Sequence, residues 1–433
     1  MKIPSLYLIL IIVLLAAFIT GCQSGGIPRE YLMPVPVLVT EGGANTAIIE
    51  AALADSNEVD FFYATNRKPS ASDDGRHYVT DFDQDLRLGS ATVRIWDKGR
   101  TAEEVYLQAM MVKRDKELPL FLEQVSQQAT VQPNYGLDLS IETRAYLDSI
   151  NSALAQSKNK EIIVYVHGAN NTFYRSSSQA AQFSYFTLKR SVVVLFSWPS
   201  AGSLTRYSTD VKNSAQSYEV FVRLINLLTR YTDARRINIL SYSAGARIVS
   251  PGLDLLATQQ QVSSDEPRKK LNLGIVYYAS PDEEQTVFYN HLANYLDLAD
   301  DVTVSVNFHD SVLAYAETYS GVARAGMSDP SQIGEAEVKE IIKKLDRPNI
   351  HVIDVDGSKI PGLARGEHGS WYNHPWVNTD VILQFLYHAS SPADRGLVLK
   401  DLGRYWKKYW IYPEDYPERI RELHPGIKAR GSY

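Results

Sequence analysis

The second half of the chain alternates short, solid runs of apolar residues with longer stretches of helical periodicity. The runs are rich in Val and Ile, which is typical of strands buried on both faces of a sheet. Between two of them, Phe221, Leu224, Ile225 and Leu228 follow the spacing of an amphipathic helix. This alternation predicts an α/β fold with a doubly wound, mostly parallel sheet. The predicted strands, in chain order, are Ile162–Val166, Val192–Phe196, Ile237–Leu240, Leu273–Tyr278, Val302–Val306 and Ile350–Val355.

The region before these runs is less regular. Two strands are predicted at Val59–Ala64 and Leu88–Ile95, and a third, Glu104–Val112, is predicted among helical pieces. We therefore expect one large domain over residues 59–390 and a C-terminal helical extension over residues 391–433.

The first residues have the pattern of a targeting segment. A positive start, Met1-Lys2, precedes the apolar run Leu6–Ile19, which is shorter than the ~20 residues of a membrane-spanning helix. The run ends in Ile19-Thr20-Gly21-Cys22, and Cys22 is the only cysteine in the chain. This pattern resembles the lipobox of bacterial lipoproteins, and the resemblance implies cleavage before Cys22 and lipidation of its thiol. A plain signal peptide followed by a spare thiol is the alternative.

The pattern predicts a signal peptide over residues 1–21. Gly25-Gly26 and the prolines Pro28, Pro34 and Pro36 then favour a tether and lead-in over residues 22–58. The lipobox resemblance also bears on where the protein is located. It places the protein in the cell envelope, and Gln23 implies the outer membrane if the cell is Gram-negative. The expected partner is therefore a membrane, reached through the lipid anchor. With hydrophobic residues at 45% of the composition, the mature chain depends on its core and not on disulfides. A net charge of -6 without a basic block argues against nucleic acid as a partner.

Candidate chemistry lies at the carboxyl ends of the predicted strands, where parallel sheets bind their ligands. Ser243 follows the third strand, at the centre of a small-x-Ser-x-small pattern over Ser241–Gly245. Such a strand-to-helix turn holds a serine hydroxyl clear of the backbone, and small neighbours let the turn close. The pattern is weak alone, because it begins with serine and not glycine, and Ser243 could be an ordinary turn residue.

Two further groups occur at the ends of later strands. Asp310 follows the fifth strand, and His368 follows the sixth after a polar loop. The chain order Ser, Asp, His is that of α/β-hydrolases. His368 would take the proton of Ser243, and Asp310 would fix the imidazole tautomer and stabilise the imidazolium.

Alternatives to both groups remain open. Asp282, after the fourth strand, could supply the acid, although Pro281-Asp282 is also typical of the start of a helix. His374 could replace His368 as the base, although its position before a proline favours a cap or a pocket wall. His309 would point away from the site if the fifth strand continued through it.

The first of the six strands ends in His167-Gly168-Ala169. This His-Gly turn resembles the oxyanion loop of α/β-hydrolases. The resemblance implies that the backbone N–H groups of Ala169, or of Gly168, and of Ala244 hold the oxyanion of a tetrahedral intermediate. One such donor is worth about 3 kcal/mol of barrier.

The combined pattern resembles a family of uncharacterised bacterial α/β-hydrolases over most of the chain from Val59 to Leu386. The motifs that carry the resemblance are Phe62–Arg67, Leu88–Val93, Val166–Gly168, Phe196–Ser200, Tyr207–Asp210, Ser243–Gly245, Ala279–Asp282, Arg324–Gly326, and His368 with Pro375 and Asp380. The elbow of that family usually carries His and Met where this chain has Tyr242 and Ala244, which affects substrate fit more than catalysis. The family's substrates are not established, so the resemblance implies only the fold and the reaction type.

These observations predict a lipid-anchored serine hydrolase that cleaves an ester, thioester or amide of a small or lipid-like acyl compound. No metal or other cofactor is expected. The rival hypothesis is a catalytically silent lipoprotein of the same fold that binds a ligand or an envelope partner, since a fold does not prove an activity. Near the C-terminus, the aromatic and basic stretch Arg404–Trp410 could touch a membrane, but packing against the domain is favoured.

Overall fold

A computed structural model describes residues 29–41, 56–72, 75–134, 138–262, 271–327, 340, 343–357, 360–400 and 409–424. The predicted signal peptide and Cys22 lie outside these residues. In the described part of the chain, no helix is both long and apolar enough to cross a membrane.

The described strands form one twelve-stranded sheet in the order β1-β4-β3-β2-β6-β5-β7-β8-β9-β10-β12-β11. Neighbours from β2 through β12 run parallel, and β3, β4, β1 and β11 add antiparallel pairs at the two edges. The strands are β1 Glu30–Tyr31, β2 Glu58–Pro69, β3 Tyr78–Ile95, β4 Pro119–Val131, β5 Ile162–Val166, β6 Val192–Ser197, β7 Ile237–Tyr242, β8 Leu273–Ala279, β9 Asp301–Val306, β10 Ile350–Asp354, β11 Val398–Lys400 and β12 Tyr409–Ile411.

Helices cover both faces of this sheet. One core packs α3, α5, α6 and α7 against it, and the other packs α2, α4, α9, α10 and α11. The predicted α/β class with a mostly parallel sheet is therefore confirmed. The helices are α1 Val37–Thr40, α2 Ala102–Ala109, α3 Ile141–Gln156, α4 Phe173–Phe186, α5 Tyr207–Tyr231, α6 Ala246–Val262, α7 Gln285–Tyr295, α8 Ser311–Ser320, α9 Ser370–Asn373, α10 Pro375–Tyr387 and α11 Tyr416–Leu423.

The strand predicted at Glu104–Val112 is wrong, because most of it lies in α2. The side chain of Thr101 accepts a hydrogen bond from the backbone N–H of Glu104, and the Glu104 carboxylate accepts one from the N–H of Thr101. This capping box satisfies two N–H groups that a helix otherwise leaves free at its start. The strand of this region is instead β4.

The prediction of a helical C-terminal extension is also wrong. The described residues of this region, 391–400 and 409–424, contribute a 3-10 turn, Pro392–Arg395, then β11, β12 and α11. β12 pairs in parallel with β10, so this region completes the sheet. Of the aromatic stretch Arg404–Trp410, only Tyr409 and Trp410 are described; both lie in β12, and Tyr409 is buried.

The tether predicted over residues 22–58 is not a free spacer throughout. In residues 29–41, β1 pairs with β4. Leu32, Met33, Val35 and Leu38 are buried in the core that contains α4 and α10. The apolar side chains of this segment explain the difference, since their burial is favourable and a solvated tether would forgo it. The domain boundaries themselves stay a prediction.

A buried ion pair fixes the C-terminal region to the centre of the sheet. Arg395 Nε lies 2.7 Å from Asp380 Oδ1, and both side chains are fully buried. The hydroxyl of Tyr277 in β8 donates to the other oxygen of Asp380 at 3.1 Å. Arg395 also donates to the carbonyl of Ala389 at 2.7 Å, so it closes the chain after α10.

We predict that Arg395→Leu lowers the free energy of unfolding by about 3–5 kcal/mol, because it leaves the Asp380 carboxylate buried and unpaired. Denaturant unfolding followed by circular dichroism measures the change. The matched control is Arg419→Leu, since Arg419 pairs with Asp415 at 3.0 Å on the surface. That exposed pair is worth at most about 1 kcal/mol. Equal losses in the two variants would show that the buried pair does not hold the region.

Candidate active site

Ser243 occupies a sharp turn between β7 and α6. Its φ angle is 51°, in the left-handed region that residues other than glycine rarely adopt. The turn needs small neighbours: a Cβ at Gly245 would lie 2.7 Å from the carbonyl oxygen of Val166, and one at Gly168 would lie 2.8 Å from Ser243 Cβ. The structure thus gives Ser243 the strained geometry of a nucleophile elbow.

Three side chains from three different strand ends form one hydrogen-bonded chain. Ser243 Oγ lies 2.8 Å from His368 Nε2, and His368 Nδ1 lies 2.7 Å from Asp310 Oδ2. Ser243 follows β7, Asp310 follows β9, and His368 follows β10. Asp310 is fully buried and Ser243 nearly so, whereas the His368 side chain is 10% exposed. The residues that the sequence singled out therefore lie together, at hydrogen-bonding distance and in the order Ser–His–Asp.

Asp310 is held rigidly because it also caps α8. Its Oδ1 accepts hydrogen bonds from the N–H groups of Val312 and Leu313 at 3.0 and 2.9 Å. This leaves Oδ2 for His368, whose Nδ1–H donates to it and whose Nε2 is then free to accept from the Ser243 hydroxyl. A carboxylate at this position also complements the dipole of the helix.

The environment of His368 favours its protonated form. Burial alone would lower the pKa of the imidazole, but the adjacent Asp310 carboxylate outweighs it, and Asp282 and Glu367 act in the same direction. The pKa of His368 is therefore raised above its usual value. An imidazole in this setting can accept a proton from Ser243 and hold it beside the carboxylate.

Asp282, the alternative acid, is occupied elsewhere. Its carboxylate accepts a hydrogen bond from the Tyr207 hydroxyl at 2.6 Å and lies 3.2 Å from the Arg247 guanidinium. Its backbone N–H donates to the carbonyl of Ser243 at 3.0 Å. Asp282 thus supports the turn that carries Ser243, while Asp310 contacts the imidazole.

The two other histidines also have different partners. His374 caps α10: its Nδ1 accepts from the N–H of Trp376 at 3.2 Å, and its Nε2 donates to the carbonyl of Pro361 at 3.0 Å. The interpretation of His374 as a cap is therefore the one that the geometry supports. His309 is partly exposed, and its Nε2 accepts from Arg365 at 3.1 Å.

The loop after β5 presents free donors next to the serine. The N–H groups of Asn170 and Asn171 are bound by Asp210 and Ser200, at 3.1 and 3.0 Å. Within the described residues, by contrast, neither Gly168 nor Ala169 donates its N–H to any protein acceptor. These two groups can therefore bind an oxygen that approaches Ser243.

A buried arginine whose role the sequence does not predict holds this loop. Arg67, at the end of the Phe62–Arg67 motif, donates to the carbonyls of Asn171 and Ser200 at 2.9 and 3.2 Å and to the Ser197 hydroxyl at 3.1 Å. Burial lowers the pKa of Arg67 to about 9, so it stays charged at neutral pH. A charged residue at the end of an apolar strand was the available signal, but its partners lie more than 100 residues away.

Tyr242, the variable residue of the elbow, forms one wall of the site. Its ring lies 5.2 Å from the His368 ring, 5.9 Å from the Trp371 ring and 5.8 Å from the Tyr372 ring. This aromatic wall lies on the sheet face that α4 and α10 cover. Among the described residues, no three His, Cys, Asp or Glu side chains are grouped so that they could hold a metal ion.

Comparison with known proteins places the chain in a family. A solved structure from Legionella pneumophila, described as a provisionally assigned hydrolase, is similar at 11% identity over 94% of this chain and 99% of that one. Its TM-score of 0.25 is too low for this likeness to support a conclusion. No curated protein matches the chain. A family model described as "Alpha/beta hydrolase of unknown function (DUF900)" matches residues 142–383, which is more than half of the chain and includes Ser243, Asp310 and His368. The chain therefore belongs to this family of α/β-hydrolases of unknown function.

Proposed function

We propose that this protein is a serine hydrolase in which Ser243 is the nucleophile, His368 the general base and acid, and Asp310 the group that orients the imidazole. One observation carries the proposal: the unbroken hydrogen-bonded chain from Ser243 Oγ through His368 to Asp310. The strained φ of Ser243 and the family match support it. The substrate class is an ester, thioester or amide.

The first half-reaction forms an acyl-enzyme. His368 Nε2 takes the proton of Ser243 while Oγ attacks the carbonyl carbon, and the carbonyl electron pair moves onto oxygen. The N–H groups of Ala244 and of Ala169 or Gly168 stabilise this oxyanion. When the intermediate collapses, the bond to the leaving group breaks, and the leaving group takes the proton from His368.

The second half-reaction returns the enzyme to its starting state. A water molecule gives a proton to His368 Nε2 and attacks the acyl carbon, and collapse of the second intermediate expels Ser243 Oγ, which recovers the proton. The products are a carboxylic acid and an alcohol, thiol or amine. Asp310 stays ionised throughout and stabilises the imidazolium in both steps.

The proposal includes a lipid anchor on Cys22 and therefore a place in the cell envelope. Its support is the sequence alone: a single cysteine directly after an apolar signal-like run and a glycine. Several acyl chains, at about 0.8 kcal/mol for each buried CH₂, would make release from the membrane negligible.

Ser243→Ala is expected to abolish both ester hydrolysis and labelling by a fluorophosphonate probe, with circular dichroism unchanged. Mass mapping of the wild-type adduct should locate the probe on Ser243. Ser250→Ala is the matched control, because Ser250 also lies 3.2 Å from a histidine nitrogen, that of His291, but is fully buried in α6. Wild-type reactivity in Ser243→Ala would remove the nucleophile assignment.

Asp310→Asn is expected to cut turnover on the order of 10⁴-fold through loss of tautomer control. It should also change the pH profile. In the wild type, kcat/KM falls as the pH drops through the raised pKa of His368, because a protonated imidazole cannot accept the serine proton. Loss of the Asp310 charge should move that midpoint to lower pH.

Asp282→Asn is the control for this prediction, since its carboxylate binds Tyr207 and Arg247 and not the imidazole. It should reduce turnover far less than Asp310→Asn does. It should also leave the midpoint of the kcat/KM profile close to its wild-type pH. The opposite ranking of the two variants would assign the acid to Asp282.

Cys22→Ser is expected to abolish incorporation of radiolabelled palmitate and to block signal processing. Ser24→Ala, two residues away, should keep both the label and the membrane fractionation of the wild type. Equal label in the wild type and Cys22→Ser would contradict the lipid anchor, and the hydrolase proposal would stand independently of that result.

A further inference from the structure

An ion pair joins the N-terminal segment to the active-site loop. Glu30 Oε1 lies 3.3 Å from Arg175 Nε near the start of α4. Arg175 in turn donates to the carbonyl of Asn170 at 3.3 Å, in the loop that carries the free N–H groups of Gly168 and Ala169. Glu30 is thus one side chain away from the loop after β5.

The charge of Arg175 also interacts with the aromatic wall of the site. Burial alone would lower its pKa, but Tyr372, Glu30 and Tyr242 reverse that effect and raise it. The ring of Tyr242 lies beside the imidazole of His368, tilted by 38° from it. Glu30 and Arg175 remain 21% and 33% exposed, so they lie where this wall reaches the solvent. We call Glu30, Arg175 and Tyr372 the rim of the site.

The N-terminal segment is fixed against α4 and α10 at several points. The N–H of Met33 donates to Gln182 in α4 at 2.7 Å, and Asn378 in α10 donates to the carbonyl of Pro34 at 2.9 Å. Because β1 also pairs with β4, the segment cannot swing away without breaking several buried contacts. The position of Glu30 relative to the site is therefore set by the fold.

The chain between Cys22 and Glu30 is short. Eight residue-to-residue steps span at most about 28 Å even when fully extended. A domain of this size has a diameter of roughly 55 Å. If Cys22 carries lipid, the rim must lie within that short reach of the membrane surface, and the domain cannot turn its site to the far side.

We infer that the substrate is an acyl ester carried by a lipid of the same membrane that holds the anchor. This inference rests on the proposed function and on the lipidation of Cys22. The ring of Tyr242, 5.2 Å from that of His368, offers an apolar surface on which the acyl chain of such a substrate can pack. Exposed tyrosines suit the interface of a bilayer, and Tyr31 is exposed directly beside Glu30.

The test lengthens the chain between the anchor and the rim. A flexible Gly-Ser linker of about 24 residues, inserted between Gly25 and Gly26, makes this spacer about fourfold longer. The effective concentration of the active site near the membrane surface should then fall by about eightfold, since that quantity scales roughly with the −3/2 power of the spacer length. The readout is hydrolysis of a fluorogenic phospholipid in vesicles that hold the enzyme, divided by hydrolysis of a soluble nitrophenyl ester.

The matched control carries the same linker after Tyr433, where it leaves the spacer unchanged. We expect the ratio to fall about eightfold in the first variant and to stay at the wild-type value in the second. An unchanged ratio in the first variant, or a wild type that cleaves the soluble ester and not the vesicle lipid, would overturn the inference and leave the hydrolase proposal intact. A wild type that cleaves neither substrate would overturn both.

Discussion

The guanidinium of Arg67 is the contact on which the loops of the active site depend. It is fully buried, and it binds acceptors in the loops after β5 and β6 at once. Removing it would leave those acceptors buried without donors, at about 1–3 kcal/mol each. Asp210 complements it by accepting from the N–H groups of Ala201 and Asn170, so two buried charged side chains fix the backbone that faces Ser243.

Two other aspartates of the site also have two roles each. Asp310 caps the start of α8 with one carboxylate oxygen and orients His368 with the other. Asp282 supports Ser243 through its backbone N–H, while its carboxylate binds Tyr207. Asp310 therefore serves the scaffold as well as the proposed reaction. Preorganisation of this kind lets the donors act without rearrangement at the moment of reaction.

How far the sequence predicts the molecule depends on how local the signals are. The six parallel strands and the positions of Ser243, Asp310 and His368 at their ends followed from apolar runs that each strand carries itself. β12 did not, because three residues give little pattern and their partner strand, β10, lies more than 50 residues earlier. The apolar residues of 104–112 do not by themselves distinguish a strand from a helix. The capping box of Thr101 and Glu104 is the signal that identifies the helix. The role of Arg67 could not be predicted for the same reason as β12, because its partners in the active-site loops are more than 100 residues away in sequence.

The position of β12 determines when the sheet can be completed. A chain under synthesis presents its N-terminal parts first, so the flank of β10 stays open until residues 409–411 have emerged. A chain that ends before residues 409–411 would keep this flank of β10 permanently open. Its unpaired N–H and C=O groups could then pair with a strand of another molecule. Truncated copies of this protein should therefore be more prone to aggregation than the full-length chain, in which the short strands β12 and β11 cover that flank of β10.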